Sequence, residues 1–241
     1  MNMRVTVNNE KEQELTLARE AIFKRLETLF QGKAVEAHVF GSVARGDTDA
    51  FSDIDIWFTF NDTDFEEVYK NRFEYYSKIG AVLHSCEPPQ NAPIGGVHTA
   101  LLLEEGVGSI VVVDIYLCPL STAYITDDGR KLFGIDLPRG AIGFNPKRVQ
   151  VDENYRIDFF IGFIFNSIKK LARNKGKPLE AVLYEYQDKF IDSNVAITPL
   201  VSKEQNLDTL EIIIDNVHKI ANDKQKKVLV TIRDFARRIL L

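Results

Sequence analysis

Only two cysteines occur in the 241 residues, Cys86 and Cys118, with no CxxC spacing and no histidine spacing that suggests a zinc site. Nothing therefore suggests a zinc site, and the expectation is two free, buried thiols in a reducing cytoplasm. Long apolar runs are missing as well. No stretch approaches the roughly 18 apolar residues of a membrane span, and the first twenty residues, MNMRVTVNNEKEQELTLARE, lack the apolar run of a signal peptide. The sequence is read as soluble and cytoplasmic, with no membrane partner. Charge of one sign is not concentrated anywhere. The 35 acidic and 30 basic side chains are spread along the chain, for a formal net charge of -5. No basic block could neutralise phosphates over a long track, so a processive polymerase and any extended nucleic-acid partner are disfavoured. Internal repeats and low-complexity segments are also absent.

With 45% hydrophobic residues the chain can bury a substantial core, and its length suits one large domain or two of moderate size. Two are expected, residues 1–142 and 143–241. From Glu12 to Phe30, the residues Leu15, Leu17, Ile22, Phe23, Leu26 and Leu29 recur at helical intervals, with Gly32 as a stop. Val35–Phe40 reads as a strand, GSVARGDTDAFS as a turn, Asp53–Phe60 as a second strand and Asp64–Ile79 as a helix closed by Gly80. Val97–Glu104 and Ser109–Leu117, joined through EGVG, give a hairpin signal. Gly134–Val149, broken by glycines and prolines, reads as the linker between domains. Beyond it Ile157, Phe160, Ile161, Ile164, Ile168 and Leu171 share one helical face, widened by Phe159, Phe163 and Phe165. Further helices at about 179–191, 207–221 and 224–240 complete a carboxy-terminal bundle.

The informative segment is Phe40-Gly41-Ser42-Val43-Ala44-Arg45-Gly46, followed by Asp53-Ile54-Asp55. A strand ending in Gly-Ser lets backbone amides approach a phosphate, so the turn reads as an anion cradle. Asp53 and Asp55 stand two apart on a strand and share a face, while Ile54, Ile56 and Phe58 point to the core. Paired carboxylates repel unless a cation lies between them, and hard oxygen ligands suit Mg²⁺. Asp114 interrupts the apolar strand Ile110–Leu117, where a charge is costly unless compensated. If that strand lies beside the one with Asp53 and Asp55, three carboxylates could hold two Mg²⁺ ions roughly 4 Å apart for in-line phosphoryl displacement.

The GSxARG turn, the SDIDI strand and the single-aspartate strand, together covering about residues 40–117, resemble the DNA polymerase beta-type nucleotidyltransferase superfamily. The helical second half resembles its small-molecule branch, the aminoglycoside and lincosamide antibiotic nucleotidyltransferases. The resemblance implies an α+β fold, a mixed twisted sheet with flanking helices, followed by a carboxy-terminal helical substrate-binding bundle. It implies Gly41 and Ser42 on the triphosphate of ATP, Asp53 and Asp55 on both Mg²⁺ ions, and Asp114 on the catalytic ion while helping to deprotonate the acceptor. The expected activity is transfer of AMP from ATP to a hydroxyl of a small molecule, an antibiotic-resistance reaction, by a monomer or homodimer.

Arg45 could contact phosphate or simply face solvent beside Asp47 and Asp49. Glu87, Glu104 and Glu105 are candidates for an extra general base without a motif to distinguish them. Lys169, Lys170 and Arg173 either suit the carboxy-terminal end of their helix or reach the triphosphate. His38, His84, His98 and His218 show no mutual spacing that assigns them a role. Two other activities compete: nucleotidylation of a protein or RNA end, and a non-catalytic, antitoxin-like binding module. Three retained aspartates that would repel one another argue against the second.

Overall fold

The computed structural model describes residues 9–106, 108–140, 153–192, 197, 199–200 and 203–241. The chain divides into two compact units, Gln13–Gln150, and Met1–Glu12 together with Val151–Leu241. The first is an α+β unit built on a six-stranded mixed sheet, and the second is helical.

In the α+β unit, helix α1 (Asn9–Leu26, whose first residues belong to the other unit) leads to β1 (Glu36–Phe40), the short α2 (Gly41–Arg45) and β2 (Ile54–Phe60). Two helices follow, α3 (Asp62–Lys70) and α4 (Arg72–Tyr76), then β3 (Ala81–Cys86), β4 (Val97–Glu105) and β5 (Ser109–Pro119). Short strands β6 (Ile125–Thr126), β7 (Arg130–Gly134) and β8 (Arg139–Gly140) complete the unit. The sheet order is β3-β4-β5-β2-β1-β7, and β6 pairs with β8 separately. The β2–β5 pairing is parallel; the other neighbours in the large sheet run antiparallel.

Alternation along the strands divides the sheet into two faces. Ala37, Val39, Ile54, Ile56, Phe58, Val113, Ile115 and Leu117 point to one face and are buried there with Ile22, Leu26, Phe30, Phe65, Val68 and Tyr76 from the helical side. The opposite face is more polar. Trp57, Tyr116 and Cys118 are covered by Ala123, with Phe40, Tyr124 and Leu137 packed against them, so the chain after β5 folds back over this face.

Two local expectations are revised and one strand is added. The helix read over Asp64–Ile79 is two helices that meet at Asn71. Ala81–Cys86 forms the edge strand β3, which its polar His84 and Ser85 conceal in the sequence. The linker read from Gly134 starts on the last residue of β7 and takes in β8, whose Arg139 aligns with Ile125; residues 141–149 of that linker, and the expected boundary at 142/143, lie outside the described residues.

The helical unit contains α5 (Glu153–Ala172), α6 (Glu180–Tyr186) running into a π-turn at Gln187–Ile191, α7 (Leu207–Ile220) and α8 (Asp223–Leu240). Ile157, Phe160, Ile161, Ile164 and Ile168 are buried. Phe160 meets Phe190 edge-on at 4.9 Å, and Phe165 stacks on Phe235 at 5.2 Å. Asn206 caps α7 by accepting from the Thr209 amide, and Asn222 with Gln225 forms a capping box at the start of α8. Among the described residues no helix is long and apolar enough to cross a membrane.

Candidate active site

β1 ends where the carboxylates begin. Phe40 is the register partner of Asp55, and Gly41 follows with φ +63. That left-handed conformation favours glycine, and space demands it as well. A Cβ on Gly41 would lie 2.7 Å from Asp55 Oδ2. The short α2 closes on Gly46, also left-handed, whose amide donates to the Ser42 carbonyl. The loop beyond is held by its own polar groups: Asp49 Oδ1 accepts from the Phe51 amide at 3.0 Å and from Ser52 Oγ at 3.0 Å. This self-bonded turn delivers Asp53 immediately ahead of β2.

The parallel pairing of β2 with β5 sets Asp55 opposite Asp114. Adjacent strands lie roughly 4.8 Å apart and side chains in register share a face, so these two carboxylates stand side by side on the polar face. Ile54 and Ile56, which flank Asp55, are both fully buried on the other face. The phenol of Tyr116 registers the local field. Burial pushes its pKa upward, and Asp114 and then Asp55 raise it further.

Sequence reading missed two residues that the fold brings here. His98 on β4 places Nε2 2.7 Å from Asp114 Oδ1. Its strand is joined to β5 by the hairpin, and only the hairpin register reveals the pairing. Asp128, in the turn between β6 and β7, accepts the Gly41 amide hydrogen at 3.0 Å. The same Asp128 oxygen lies 3.5 Å from Arg45 Nη1, while Arg45 Nε donates to Asp47 at 3.2 Å. A carboxylate thus occupies the first amide of the turn read as a phosphate cradle. The turn carrying it is clamped by Arg139, whose Nη1 meets the carbonyls of Thr126, Asp127 and Gly129 at 2.6, 3.2 and 3.1 Å.

Two of the three extra carboxylates, Glu87 and Glu105, have structural partners. Glu87 pairs with Arg72 at 2.6 Å and accepts from Thr99 at 3.1 Å, and Glu105 pairs with Arg25. Lys169 is buried in the helical unit. A cavity of about 180 Å³ lies beside α2, lined by Arg19, Glu20, Phe23, Val43, Gly46, Thr48 and Ile54; it includes none of the three aspartates.

Among the described residues no three His, Cys, Asp or Glu side chains gather closely enough to form a metal cage. Mg²⁺ seldom needs one, because it commonly binds through one or two carboxylates, waters and the phosphates of the substrate. The Asp55–Asp114 pair is of that kind: hard oxygen donors, side by side, below a glycine turn that leaves Asp55 its room.

Residues 19–87 match the family described as Nucleotidyltransferase domain. This part of the chain is similar to that family. The match takes in Gly41, Ser42, Arg45, Asp53 and Asp55; Asp114, His98 and Asp128 lie beyond it. No curated protein sequence matches the chain significantly. Among similar solved structures, an aminoglycoside 6-adenyltransferase from Bacillus subtilis shares 11% identity over 90% of this chain and 93% of its own, with a TM-score of 0.28. The Elizabethkingia meningoseptica CdnE cyclic dinucleotide synthase with GTP and Apcpp shares 14% over 94% and 96%, at 0.28. The GLD-2/RNP-8 complex shares 11% over 89% and 75%, at 0.30. Likeness at this level carries no argument about substrate.

Proposed function

We propose that the chain is an Mg²⁺-dependent nucleotidyltransferase that moves AMP from ATP onto a hydroxyl of a small acceptor. The observation that carries the reading is the register match of Asp55 with Asp114 on parallel strands, directly after a Gly41 turn that admits no side chain. In this reading residues 1–142 form the catalytic domain and residues 143–241 bind the acceptor. Asp53, Asp55 and Asp114 would hold two Mg²⁺ ions, which would neutralise charge developing on the transferred phosphoryl group.

The residues of the chain divide the remaining work. The amides of Gly41 and Ser42 orient the triphosphate, with Arg45 beside them once its contact to Asp128 is released. The acceptor oxygen attacks the α-phosphorus, a bond forms there, and the bond to the β-phosphate bridging oxygen breaks as pyrophosphate leaves. Asp114, beside the attacking hydroxyl, takes up its proton.

The acceptor in this reading is an aminoglycoside or lincosamide. The formal net charge of -5 suits a cationic acceptor, and the spread of basic residues offers no track for a long polynucleotide. A cytoplasmic location completes the reading. The test is mass spectrometry of both antibiotic classes incubated with ATP and Mg²⁺, where the expected product is heavier by one AMP unit. Absence of an adduct across both classes, while ATP still stabilises the protein in Mg²⁺, would refute the acceptor assignment. Equal stabilisation by ATP in EDTA would refute the metal site.

A further inference from the structure

Four rings cross the polar face of the sheet in a single row. His38, Trp57, Tyr116 and His98 are successive register partners on β1, β2, β5 and β4. His38 stacks on Trp57 at 5.5 Å, Trp57 on Tyr116 at 5.5 Å with planes 4° apart, and Tyr116 on His98 at 4.3 Å with planes 2° apart. The next row along the same face holds Asp55 and Asp114.

His98 ends this stack and reaches out of its row. Opposite Asp114 on β4 stands Ala100, which offers no polar group. His98, two residues earlier on the same face, leans diagonally into that space and meets Oδ1. Its ring is only 3% exposed, and the tyrosine beneath holds its plane. Nδ1 is buried and has no hydrogen-bond partner among the described residues. The contact is therefore satisfied with the proton on Nε2, donated to Asp114, and the lone pair on Nδ1. His38, equally buried, uses Nδ1 on Glu36 instead, one row further from the aspartates.

We infer that His98 is a positioning residue for Asp114: a donor locked by stacking that engages Oδ1 and leaves Oδ2 to face the nucleotide site. The inference rests on the proposed role of Asp114. Orienting partners of ligating carboxylates commonly set metal affinity as well as activity.

The test measures binding of Mn²⁺, by electron paramagnetic resonance, in the presence of a non-hydrolysable ATP analogue. Melting temperatures are taken on the same preparations. His98→Phe keeps a ring to stack on Tyr116 but loses the donor, and His98→Gln restores an N–H near the Nε2 position. The expected result is Mn²⁺ binding weakened about tenfold or more in His98→Phe and restored to within about threefold of wild type in His98→Gln. If His98→Phe does not fold, His98→Asn, too short to reach Oδ1, replaces it. Binding at the wild-type level in the donor-less variant, while Asp114→Asn is weakened, would overturn the inference and leave the metal site standing. Equal weakening in the donor-less variant and His98→Gln would overturn it too, because packing rather than the donor would then be responsible. Wild-type binding in both Asp114→Asn and Asp55→Ala would remove the metal-site reading itself, and the inference with it.

Discussion

Removing the Asp128 carboxylate should tighten nucleotide binding, although acidic residues near a Mg²⁺–nucleotide site usually strengthen it. Asp128 Oδ2 accepts the Gly41 amide hydrogen at 3.0 Å and lies 3.5 Å from Arg45 Nη1. A phosphate oxygen seated on that amide must displace it. The two side chains are 44% and 52% exposed, so the ion pair contributes at most about 1 kcal/mol and the amide hydrogen bond about 1 kcal/mol net. Repulsion between the carboxylate and a triphosphate at about 4 Å in water adds on the order of 1 kcal/mol, reduced by salt. Because the exposed terms overlap, Asp128→Ala should gain about 1–2 kcal/mol, a dissociation constant roughly 5- to 30-fold lower. Isothermal titration with a non-hydrolysable ATP analogue and Mg²⁺ measures this directly, and the gain should shrink as salt rises. An unchanged constant would show that the Gly41 amide is not a phosphate seat. A weaker one would make Asp128 a contributor to the site rather than an occupant to be displaced.

Other substitutions probe neighbouring parts of the same geometry. Gly41→Ala meets both a φ of +63 and a Cβ 2.7 Å from Asp55 Oδ2; chemical denaturation should show a loss of about 1–3 kcal/mol, and wild-type stability would contradict the crowding. Asp55→Ala should abolish transfer without lowering the melting temperature, since it relieves repulsion from Asp114; more than about a tenth of wild-type activity would remove Asp55 from the site. Cys118 is buried and its thiol pushed up to about 12, so iodoacetamide at about pH 8 should spare it until denaturant is added; prompt labelling of the folded protein would refute its burial. Glu211 is hydrogen-bonded to Arg237, which holds its carboxyl below the ordinary value. Its contribution of about 0.5 kcal/mol is present at neutral pH and lost as pH falls through the lowered folded value, so Glu211→Gln should melt with a shallower acid limb below about pH 5. An identical acid limb would show the pair to be idle.

The elements that placed the aspartates were legible because they obey short-range rules. The two-residue spacing of Asp53 and Asp55, the buried Ile54 and Ile56 between and after them, and the EGVG connection all act locally. What sequence could not supply was pairing. Asp114 reaches Asp55 through parallel strand addition, His98 reaches Asp114 by a diagonal across a hairpin, and Asp128 reaches Gly41 across 87 positions. No periodicity encodes such contacts. A histidine in VHTALLL reads as a polar interruption of a strand until the register gives it a carboxylate. The edge strand β3 escaped for a related reason: at an edge, Ala81 and Val82 are exposed and the apolar alternation is lost. The break at Asn71 escaped because its amide still bonds back to Glu67, so the helical pattern continues across it.

The ring row has an optical consequence. Trp57 is the single tryptophan of the chain. It is fully buried, lies against Tyr116 on one side and His38 on the other, and stands two residues beyond Asp55 on the same strand face. All tryptophan emission from this protein therefore originates beside the carboxylate row, shielded from bulk water. Charge brought to Asp55 and Asp114 acts on the excited indole from the adjacent row of the sheet, and the chain carries a native fluorescence probe of its own site, readable without a label.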